Sequence, residues 1–447
     1  MTEANARIES KNEDGLVQHI HPVEDFPDES TFLTQTEYPA LRIPARQTAT
    51  LRKQLGKLAL KIPRMGNVYS DPLKSKEHRI LVLASKDAAN HPDVVDLVEI
   101  SNGSITRTNH VIDMTYDYLT SEEALKRLLK DKVDEVPSAF EIIGNIAHMN
   151  LRDECLPYKH WIGKVVLDKN HGRIRTVVNK LGTIHNVYRT FGMEVVAGYN
   201  GEGWSIVSVK EERCTFHLDF REVYWNSRLA GEHKRLVTRI FEYAKINSSK
   251  QTVVADLMAG IGPFAVPLTA HGNPHSIKVY ANDLNPTSFK YLKINSSKNK
   301  CDQLSCYNDD GRAMVRTLQK EGVHVNHFIM NLPASAPEFL DAFRGYAFKS
   351  NSEQPWVHVH CFAPKVDEND NFYQSAVDRC AKSLGCSLDR EKECVKVHVV
   401  RDVSPGKNML CVSFRLPLEV SRLPSIANDD SNEGDSDERD AKKLKTN

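Results

Sequence analysis

Long hydrophobic runs are missing from this 447-residue sequence. No stretch approaches the roughly 18 consecutive apolar residues of a membrane-spanning helix, so we expect no transmembrane segment and no membrane partner. The start, MTEANARIESKNEDG, is acidic and polar, unlike a secretory signal or an Arg-rich transit peptide. None of the nine cysteines forms a CxxC pair, which indicates free thiols in a reducing compartment and no zinc site.

The sequence also lacks a net charge, because Lys+Arg and Asp+Glu both total 59. That balance hides an acidic tail, NDDSNEGDSDERD, which we expect to be disordered. A basic stretch earlier in the chain has few matching acids, which is typical of a phosphate-facing surface or of an ordinary solvated face. Its residues are Lys159, Lys164, Lys169, Arg173, Arg175, Lys180 and Arg189.

The length is sufficient for two or three domains, and 40% apolar residues are ordinary for a globular protein. Changes in composition and pattern predict a polar, mobile start, an N-terminal domain, a strand-rich middle domain, a larger C-terminal domain and a disordered tail. Within the middle domain, KVVLD (164–168) is among the predicted strands. The predicted bounds are 1–38, 39–135, 136–222, 223–420 and 421–447.

After Val223 the pattern alternates between strands and helices. TVVADLMA, IKVYANDL and VNHFIMN are apolar strands separated by helical segments, which predicts an α/β fold with a doubly wound, mostly parallel sheet. The last two strands flank a Ser-Pro-Gly turn and predict an antiparallel hairpin at the sheet edge. In WVHVHCFA, His358 and His360 face the same side, and without a third ligand ordinary buried histidines are favoured over a metal site.

The glycine-rich segment DLMAGIGPF predicts a ligand-binding turn after a buried strand. The spacing Gly260-x-Gly262-x-x-Ala265 also fits a dinucleotide site. However, the carboxylate of Asp256 suits a cationic ligand better than a pyrophosphate, and Pro263 removes an N–H that a diphosphate would need. S-adenosylmethionine brings an ammonium and a sulfonium to this place, so it is the predicted cofactor, with a dinucleotide-dependent oxidoreductase as the alternative.

Two further acids follow the next strands. Asp283 lies 23 residues after Gly260, the distance at which a carboxylate accepts from a ribose diol, although a helix cap is the simpler alternative. Asp310-Gly311 ends the following strand and could contact the adenine amino group, or could form an ordinary Asp-Gly turn.

The segment FIMNLPASAPEFL ends the fourth strand of the predicted sheet at an Asn-x-Pro corner. The Asn331 side chain has a donor and an acceptor, which suits the edge of a planar base, and Pro333 fixes the turn. Several amino-group methyltransferases have Asp/Asn-Pro-Pro-aromatic here. Leu332 and Ala334 depart from that pattern, which argues against adenine-N6 chemistry and for another acceptor atom.

Several motifs together resemble the eukaryotic–archaeal tRNA (guanine-37-N1)-methyltransferase family. They are FEIIGNIAHMNLRDECLPYKHWIGKVVLDKN, VYRTFGMEVVAG, VYWNSRLAGEHKRL, DLMAGIGPFAVP, NDLNPTSFKYLKIN and NLPASAPEFLDAF. The resemblance implies a class I methyltransferase domain preceded by two smaller α+β RNA-binding domains, the first of which contacts the outer corner of tRNA. It implies methylation at N1 of the guanine 3′ of the anticodon, and a location in cytoplasm, nucleus and mitochondrial matrix. We expect a monomer, since nothing indicates an obligate dimer.

The resemblance also implies roles for individual residues. Guanine N1 must lose a proton, and the family's general base falls on Glu232, while the arginine that stabilises charge on O6 falls on Arg189. Without the resemblance, Glu232 could form helix-start salt bridges and Arg189 could be a surface tRNA contact. An inactive RNA-binding scaffold with the same fold is the remaining alternative. The expected cofactor and base pocket contains Tyr224, His233, Asp256, Gly260, Gly262, Asp283, Leu284, Asp310, Gly311, Asn331 and Pro333.

Overall fold

The computed structural model describes residues 25–73, 76–137, 139–182, 192–270, 276–348, 354–365 and 373–425. The predictions for residues 1–24, for Arg189 and for the tail after residue 425 therefore lie outside the described residues. The chain divides into two compact units, which meet in sequence at Trp204 and Ser205; Gly192–Trp204 belongs to the N-terminal unit. Over the described ranges, no helix is both long and apolar enough to cross a membrane.

The N-terminal unit contains two four-stranded sheets. The first, in the order β2-β3-β1-β4, is antiparallel throughout, and the second, β5-β6-β7-β8, has one parallel pair, β6 with β7. The elements of the unit are β1 (Thr34–Pro44), α1 (Thr48–Leu55), β2 (Val68–Ser70), β3 (His78–Val82), α2 (Lys86–Ala89), α3 (Pro92–Ile100), β4 (Thr106–Met114), α4 (Ser121–Leu128), β5 (Glu141–Ile143), β6 (Ile146–Met149), α5 (Lys159–Lys169), β7 (Thr176–Leu181) and β8 (Gly192–Gly198).

Three features of the structure differ from the sequence predictions. β1 begins at Thr34, inside the segment 1–38 that was expected to be mobile. The predicted strand at 164–168 lies in helix α5, whose buried residues Ile162, Val165 and Val166 recur at helical spacing. The residues from Ser205 to 222, predicted to belong to the middle domain, belong to the C-terminal unit.

The C-terminal unit begins with a two-stranded hairpin, β9 with β10, and continues with one large sheet flanked by helices. Apolar strands such as β14, in which every residue is buried, are typical of a sheet covered on both faces. The elements are β9 (Ile206–Glu211), β10 (Cys214–Asp219), α6 (Ala230–Ile246), β11 (Thr252–Asp256), α7 (Ala265–Thr269), β12 (Ile277–Asn282), α8 (Pro286–Lys298), β13 (Leu304–Tyr307), α9 (Gly311–Lys320), β14 (His327–Met330), β15 (Trp356–Pro364), α10 (Gln374–Leu384), β16 (Lys396–Ser404) and β17 (Lys407–Arg415).

The large sheet has the order β13-β12-β11-β14-β15-β17-β16. The first five strands are parallel, and β17 pairs antiparallel with both β15 and β16. The predicted doubly wound α/β fold with a C-terminal antiparallel hairpin is therefore confirmed. The strand order reverses between β11 and β14, and in such sheets a crevice for ligands opens beyond the carboxyl ends of the strands at that point.

Candidate active site

The glycine-rich turn follows β11 directly and requires backbone conformations that favour glycine. Gly260 has φ +57° and Gly262 has φ +97°. A Cβ on Gly262 would also come within 2.8 Å of side-chain atoms of Leu292 and Val266. The Ala259 N–H donates to the Asn282 carbonyl at 2.7 Å, which ties the turn to the end of β12. The turn predicted from the sequence is present, and it lies at the carboxyl end of the sheet.

Asp256 is the last residue of β11, and its side chain is completely buried. Neither of its carboxylate oxygens has a hydrogen-bond partner among the described residues. Burial, and after it the negative charge of Asp283, raises the pKa of Asp256 to about 8. A buried carboxyl group without a cation is costly unless it keeps its proton or a cation reaches it. The structure therefore offers the acidic position that the sequence assigned to a cationic ligand.

Asp283 follows β12 and reaches across to the glycine turn. Its Oδ2 accepts from the Gly260 N–H at 2.7 Å, and its Oδ1 accepts from the Asn285 N–H at 2.9 Å. Burial raises the pKa of Asp283. Its neighbour Leu284 is about half exposed. Each carboxylate oxygen has a further lone pair, so the two backbone bonds leave Asp283 able to accept from the hydroxyls of a ribose.

A residue that the sequence analysis missed, Asn282, organises this edge of the sheet. It is completely buried, and its Nδ2 donates to the carbonyls of Leu257 (3.2 Å) and Asp309 (2.9 Å). Its Oδ1 accepts from the Asp309 N–H at 3.0 Å. The side chain thus ties the residue after β11 to the loop after β13. Its position next to Asp283 in YANDL was the only available signal, and a strand-end Asn is not distinctive by itself.

Asp310 is the N-cap of α9. Its Oδ1 accepts from the N–H groups of Arg312 (2.8 Å) and Ala313 (3.4 Å). Gly311 is the first residue of the helix and is buried. The capping role explains why an acid stands here, because a side-chain oxygen satisfies N–H groups that have no partner within the helix. The second oxygen, Oδ2, is the one available for the predicted adenine contact.

Asn331 follows β14 immediately, at a corner fixed by several backbone contacts. β14 is paired with β11, with Ile329 opposite Asp256, so Asn331 lies two residues beyond the buried acid's partner. The Pro333 carbonyl accepts from the Phe362 N–H of β15 at 3.0 Å. The Ala334 carbonyl accepts from Arg379 Nη2 at 2.7 Å. The corner is therefore anchored to the neighbouring strand and helix α10, which leaves Asn331 at the carboxyl edge of the sheet.

Glu232 lies in the first turn of α6 and is only 4% exposed. Its Oε1 accepts from His360 Nε2 at 2.7 Å and from Arg235 Nη2 at 2.8 Å, while its Oε2 accepts from Arg235 Nε at 2.6 Å. Burial alone would raise the pKa of Glu232, but the bonds from Arg235 and His360 outweigh it and lower the pKa to about 2. The side chain is thus ionised at neutral pH, as a general base must be, but a pKa of about 2 makes it a weak acceptor for a proton while Arg235 and His360 are both bonded to it. The expected helix-start salt bridge is also present, with Arg235 as the partner.

His233 and Tyr224 differ in how deeply they lie. His233 is buried, its Nδ1 lies 2.5 Å from Glu211 Oε1, and its ring packs edge-on against Phe264 of the glycine turn at 4.8 Å. Tyr224 is 42% exposed, and its hydroxyl accepts from Asn226 Nδ2 at 3.3 Å. His233 therefore packs against the glycine turn through Phe264, whereas the Tyr224 ring is accessible to solvent.

Several residues of the basic stretch in the N-terminal unit have partners within that unit. Lys159 Nζ donates to Glu194 Oε2 at 2.5 Å, and Lys164 Nζ donates to Asp168 Oδ2 at 3.0 Å. The guanidinium of Arg175 lies over the Tyr199 ring, 3.9 Å from its centroid. Glu194 is on β8, far from Lys159 in sequence, so the pairing was hidden. These three members have partners within the unit, and the phosphate-facing surface stays a prediction.

Comparison with known proteins shows the family to which the chain belongs. A curated relative from Phaeodactylum tricornutum (strain CCAP 1055/1), named tRNA (guanine(37)-N(1))-methyltransferase 1, is 57% identical over 405 residues, which is 90% of this chain and 91% of the relative. The chain belongs to the tRNA (guanine(37)-N(1))-methyltransferase family. The human protein named tRNA (guanine(37)-N(1))-methyltransferase is 36% identical over 424 residues, 91% of this chain and 79% of the human one.

Two domain families match parts of this tRNA methyltransferase family member. The TRM5/TYW2 methyltransferase domain matches residues 207–388, and the TYW2 N-terminal domain matches residues 121–201. The first match begins in β9, next to the boundary between the two compact units at Ser205. The family predicted from the sequence motifs is confirmed, and nothing in these matches supports the alternative of a dinucleotide-dependent oxidoreductase.

Solved structures agree at the level of the fold. Trm5b from Pyrococcus abyssi has a TM-score of 0.54 and 22% identity, and it covers 85% of this chain and 99% of its own. The complex of aTrm5 and tRNALeu has a TM-score of 0.57 and 20% identity, with the same coverage. Identities this low establish a shared fold and nothing finer.

Proposed function

We propose that this chain transfers the methyl group of S-adenosylmethionine to N1 of guanine 37 in tRNA, the base 3′ of the anticodon, which supports maintenance of the reading frame. The observation that carries the proposal is the relative at 57% identity, whose name states this reaction and which matches nine-tenths of the chain. The names of the curated relatives, which specify a tRNA substrate, support tRNA as the partner.

The residues at the carboxyl edge of the sheet fit S-adenosylmethionine. Asp256 offers a buried carboxyl group whose oxygens have no partner in the described parts of the chain, which suits the ammonium of the cofactor. Asp283 would accept from the ribose, and Oδ2 of Asp310 from the adenine amino group. Gly260 and Gly262 allow the backbone to approach the ligand closely. When bound, the cofactor supplies an electrophilic methyl group next to a positively charged sulfur.

The transfer also needs a proton to leave guanine N1, because the nitrogen has no free lone pair until then. Glu232 is the ionised carboxylate assigned to take that proton. Asn331, at the fixed corner after β14, would bond to the edge of the guanine, with Pro333 holding the turn. Charge that moves to guanine O6 needs a cation, and this role falls to Arg189, which lies outside the described residues. Tyr224 would pack against the base with its exposed ring.

For the rest of the chain, the proposal assigns tRNA binding to the N-terminal unit, with contacts to the outer corner as well as the anticodon loop. We also propose that the protein is a monomer and that it acts in the cytoplasm, the nucleus and the mitochondrial matrix. These assignments rest on the chain's membership of the family and on the match of residues 121–201 to the TYW2 N-terminal domain.

The test is methyl transfer from labelled S-adenosylmethionine to two tRNA transcripts that differ only at position 37, one with G and one with A. The proposal predicts label in the G37 transcript alone, recovered as N1-methylguanosine after digestion. Equal labelling of both transcripts would sink the proposed specificity. Labelling of neither, with cofactor binding intact, would favour the inactive RNA-binding scaffold.

A further inference from the structure

A buried histidine on the sheet contacts the carboxylate that the proposed function assigns as the base. His360 is in the middle of β15, completely buried, and its Nε2 lies 2.7 Å from Glu232 Oε1. β15 is hydrogen-bonded to β14, the strand that ends at the Asn331 corner. The contact therefore connects the start of α6 with the part of the sheet that borders the pocket.

The two strong partners of Glu232 are not equivalent. Arg235 is on the same helix, one turn after Glu232, and its side chain is 26% exposed. It neutralises the carboxylate from the same helix, and its side chain also interacts with Cys411 on β17. His360 belongs to a different element and its side chain is fully enclosed. His360 bonds the carboxylate directly to β15, which pairs with the strand that ends at the Asn331 corner.

We propose that His360 is a positioning residue for methyl transfer, which donates from Nε2 to Glu232 Oε1 and fixes the carboxylate for proton removal from the target base. The inference rests on the proposed function, because it assumes that Glu232 takes the proton. His360 itself touches neither cofactor nor base in this account and acts through Glu232. Since a misplacement of about 1 Å can cost about 10²-fold in rate, a fixed carboxylate has a direct kinetic consequence.

The charged and titratable groups around the pair include Asp256 at the end of β11, which interacts electrostatically with His360, and Arg239 on α6, which interacts with Glu232; the nearest ones come from four elements. Arg235 is on α6, His360 on β15, His398 on β16 with its Nε2 3.7 Å from Glu232 Oε2, and Cys411 on β17. A carboxylate oxygen of Glu232, a ring nitrogen of His360 and the sulfur of Cys411 all lie within 4.8 Å of one another. Burial opposes the charged imidazolium, but Cys411 and Glu232 outweigh it and raise the pKa of His360. A protonated His360 donates to Glu232 and adds a positive charge beside it.

The position and the charge of His360 can be separated with two substitutions. His360→Gln keeps an N–H donor at nearly the place of Nε2 but removes the charge, whereas His360→Ala removes both. We expect His360→Ala to lower the single-turnover rate with the G37 transcript about 10²-fold at pH 7. We expect His360→Gln to recover most of that loss. The dissociation constants of S-adenosylmethionine and tRNA should stay within about 3-fold of wild type for both variants.

The pH profile gives a second, independent measurement. An opposite charge within 4–6 Å lowers the pKa of a carboxyl group by about one to three units, so its loss shifts the acidic midpoint of the rate upward by a similar amount. Because the pKa of Glu232 is about 2, the acidic midpoint of both His360 variants should move to between about pH 3 and pH 5, so they should lose rate between pH 5 and pH 4, where the wild-type rate stays level. His398→Ala should give a much smaller shift, since His398 is half exposed and farther from Glu232.

The matched control is His358→Gln. His358 is on the same strand and equally buried, but its ring nitrogens contact His327 and Ser413 instead of Glu232. His358→Gln should lower the midpoint of unfolding without shifting the acidic midpoint of the pH–rate profile. If His360→Ala and His358→Gln lose rate equally and keep the wild-type pH profile, the positioning role is wrong. If the wild-type protein fails to label the G37 transcript, the proposed function itself fails, and the two failures are thereby distinguished.

Discussion

The Gly260 N–H donates to Asp283 Oδ2 at 2.7 Å, so the glycine turn after one strand is bonded to the acid that follows the next. The two residues are 23 positions apart in sequence and meet at the carboxyl edge of parallel strands β11 and β12. This bond fixes the turn at the place where the ribose and the ammonium of the cofactor are proposed to bind. It also brings the charge of Asp283 close to Asp256, whose pKa it raises.

Alanine at the two turn glycines should cost different amounts of stability. Both positions have positive φ, which costs a non-glycine residue about 1–2 kcal/mol. At Gly260 a Cβ meets no atom within 4 Å, whereas at Gly262 it comes within 2.8 Å of Leu292 and Val266, which adds about 1–3 kcal/mol of overpacking. Urea unfolding should therefore show Gly262→Ala to be less stable than Gly260→Ala. Equal losses would mean that the neighbours of Gly262 move aside freely.

Asp256 should make the ligand-free protein less stable as pH rises. The folded-state pKa, about 8, lies above the unfolded value of about 3.9, so the unfolded chain gives up this proton first. The contribution of protonated Asp256 to the free energy of unfolding is fully present below about pH 4. Between about pH 4 and pH 8 it falls by about 1.4 kcal/mol per pH unit. Asp256→Asn cannot titrate, so the wild-type minus variant difference in unfolding free energy should fall between pH 5 and 7. Parallel curves would contradict the raised pKa.

The same substitution should weaken binding of S-adenosylmethionine, because the amide cannot pair with the ammonium. In the wild type, pairing favours the ionised carboxylate, so binding at pH 7 should release about one proton. Calorimetry in buffers of different ionisation enthalpy measures that release directly. Asp256→Asn should show weaker binding and no proton release from this site. Unchanged affinity with unchanged proton release would place the ammonium elsewhere.

The sequence could predict a site residue at the carboxyl edge of the sheet only where the residues that it contacts follow from the strand pattern. Asp256, Asp283 and the glycine turn are strand-end residues of one alternating pattern, and a parallel sheet brings such ends together. Asp310 was expected to contact adenine, but its Oδ1 caps α9, and a cap and a ligand contact have the same local sequence. His360 was taken as an ordinary buried histidine because its partner Glu232 is 128 positions away, and no spacing rule connects a helix start with a strand so distant.

Asn282 provides a test of the part that the sequence did not reveal. Asn282→Ala leaves the buried Leu257 carbonyl without its partner, which costs about 1–3 kcal/mol, and removes the bonds to the carbonyl and N–H of Asp309, which is exposed and can bond to water instead. We expect a loss of about 2–4 kcal/mol in unfolding free energy together with weaker cofactor binding. Asn285→Ala is a suitable comparison, since Asn285 is a nearby buried Asn that caps α8 and contacts Glu222. An Asn282 variant that loses no more stability than a helix cap, about 1 kcal/mol, would contradict the bridging role.

The central claim is that Glu232 removes the proton from the target guanine, and the most direct measurement is the single-turnover rate of Glu232→Gln with the G37 transcript. Glutamine keeps the size and one acceptor oxygen for His360 Nε2 and Arg235 Nη2, loses the bond from Arg235 Nε, and cannot take up a proton at neutral pH. The account predicts a rate about 10²- to 10⁴-fold below wild type, with the dissociation constant of S-adenosylmethionine nearly unchanged. A variant that loses cofactor binding while its chemical step remains at the wild-type rate would show that Glu232 is not the base.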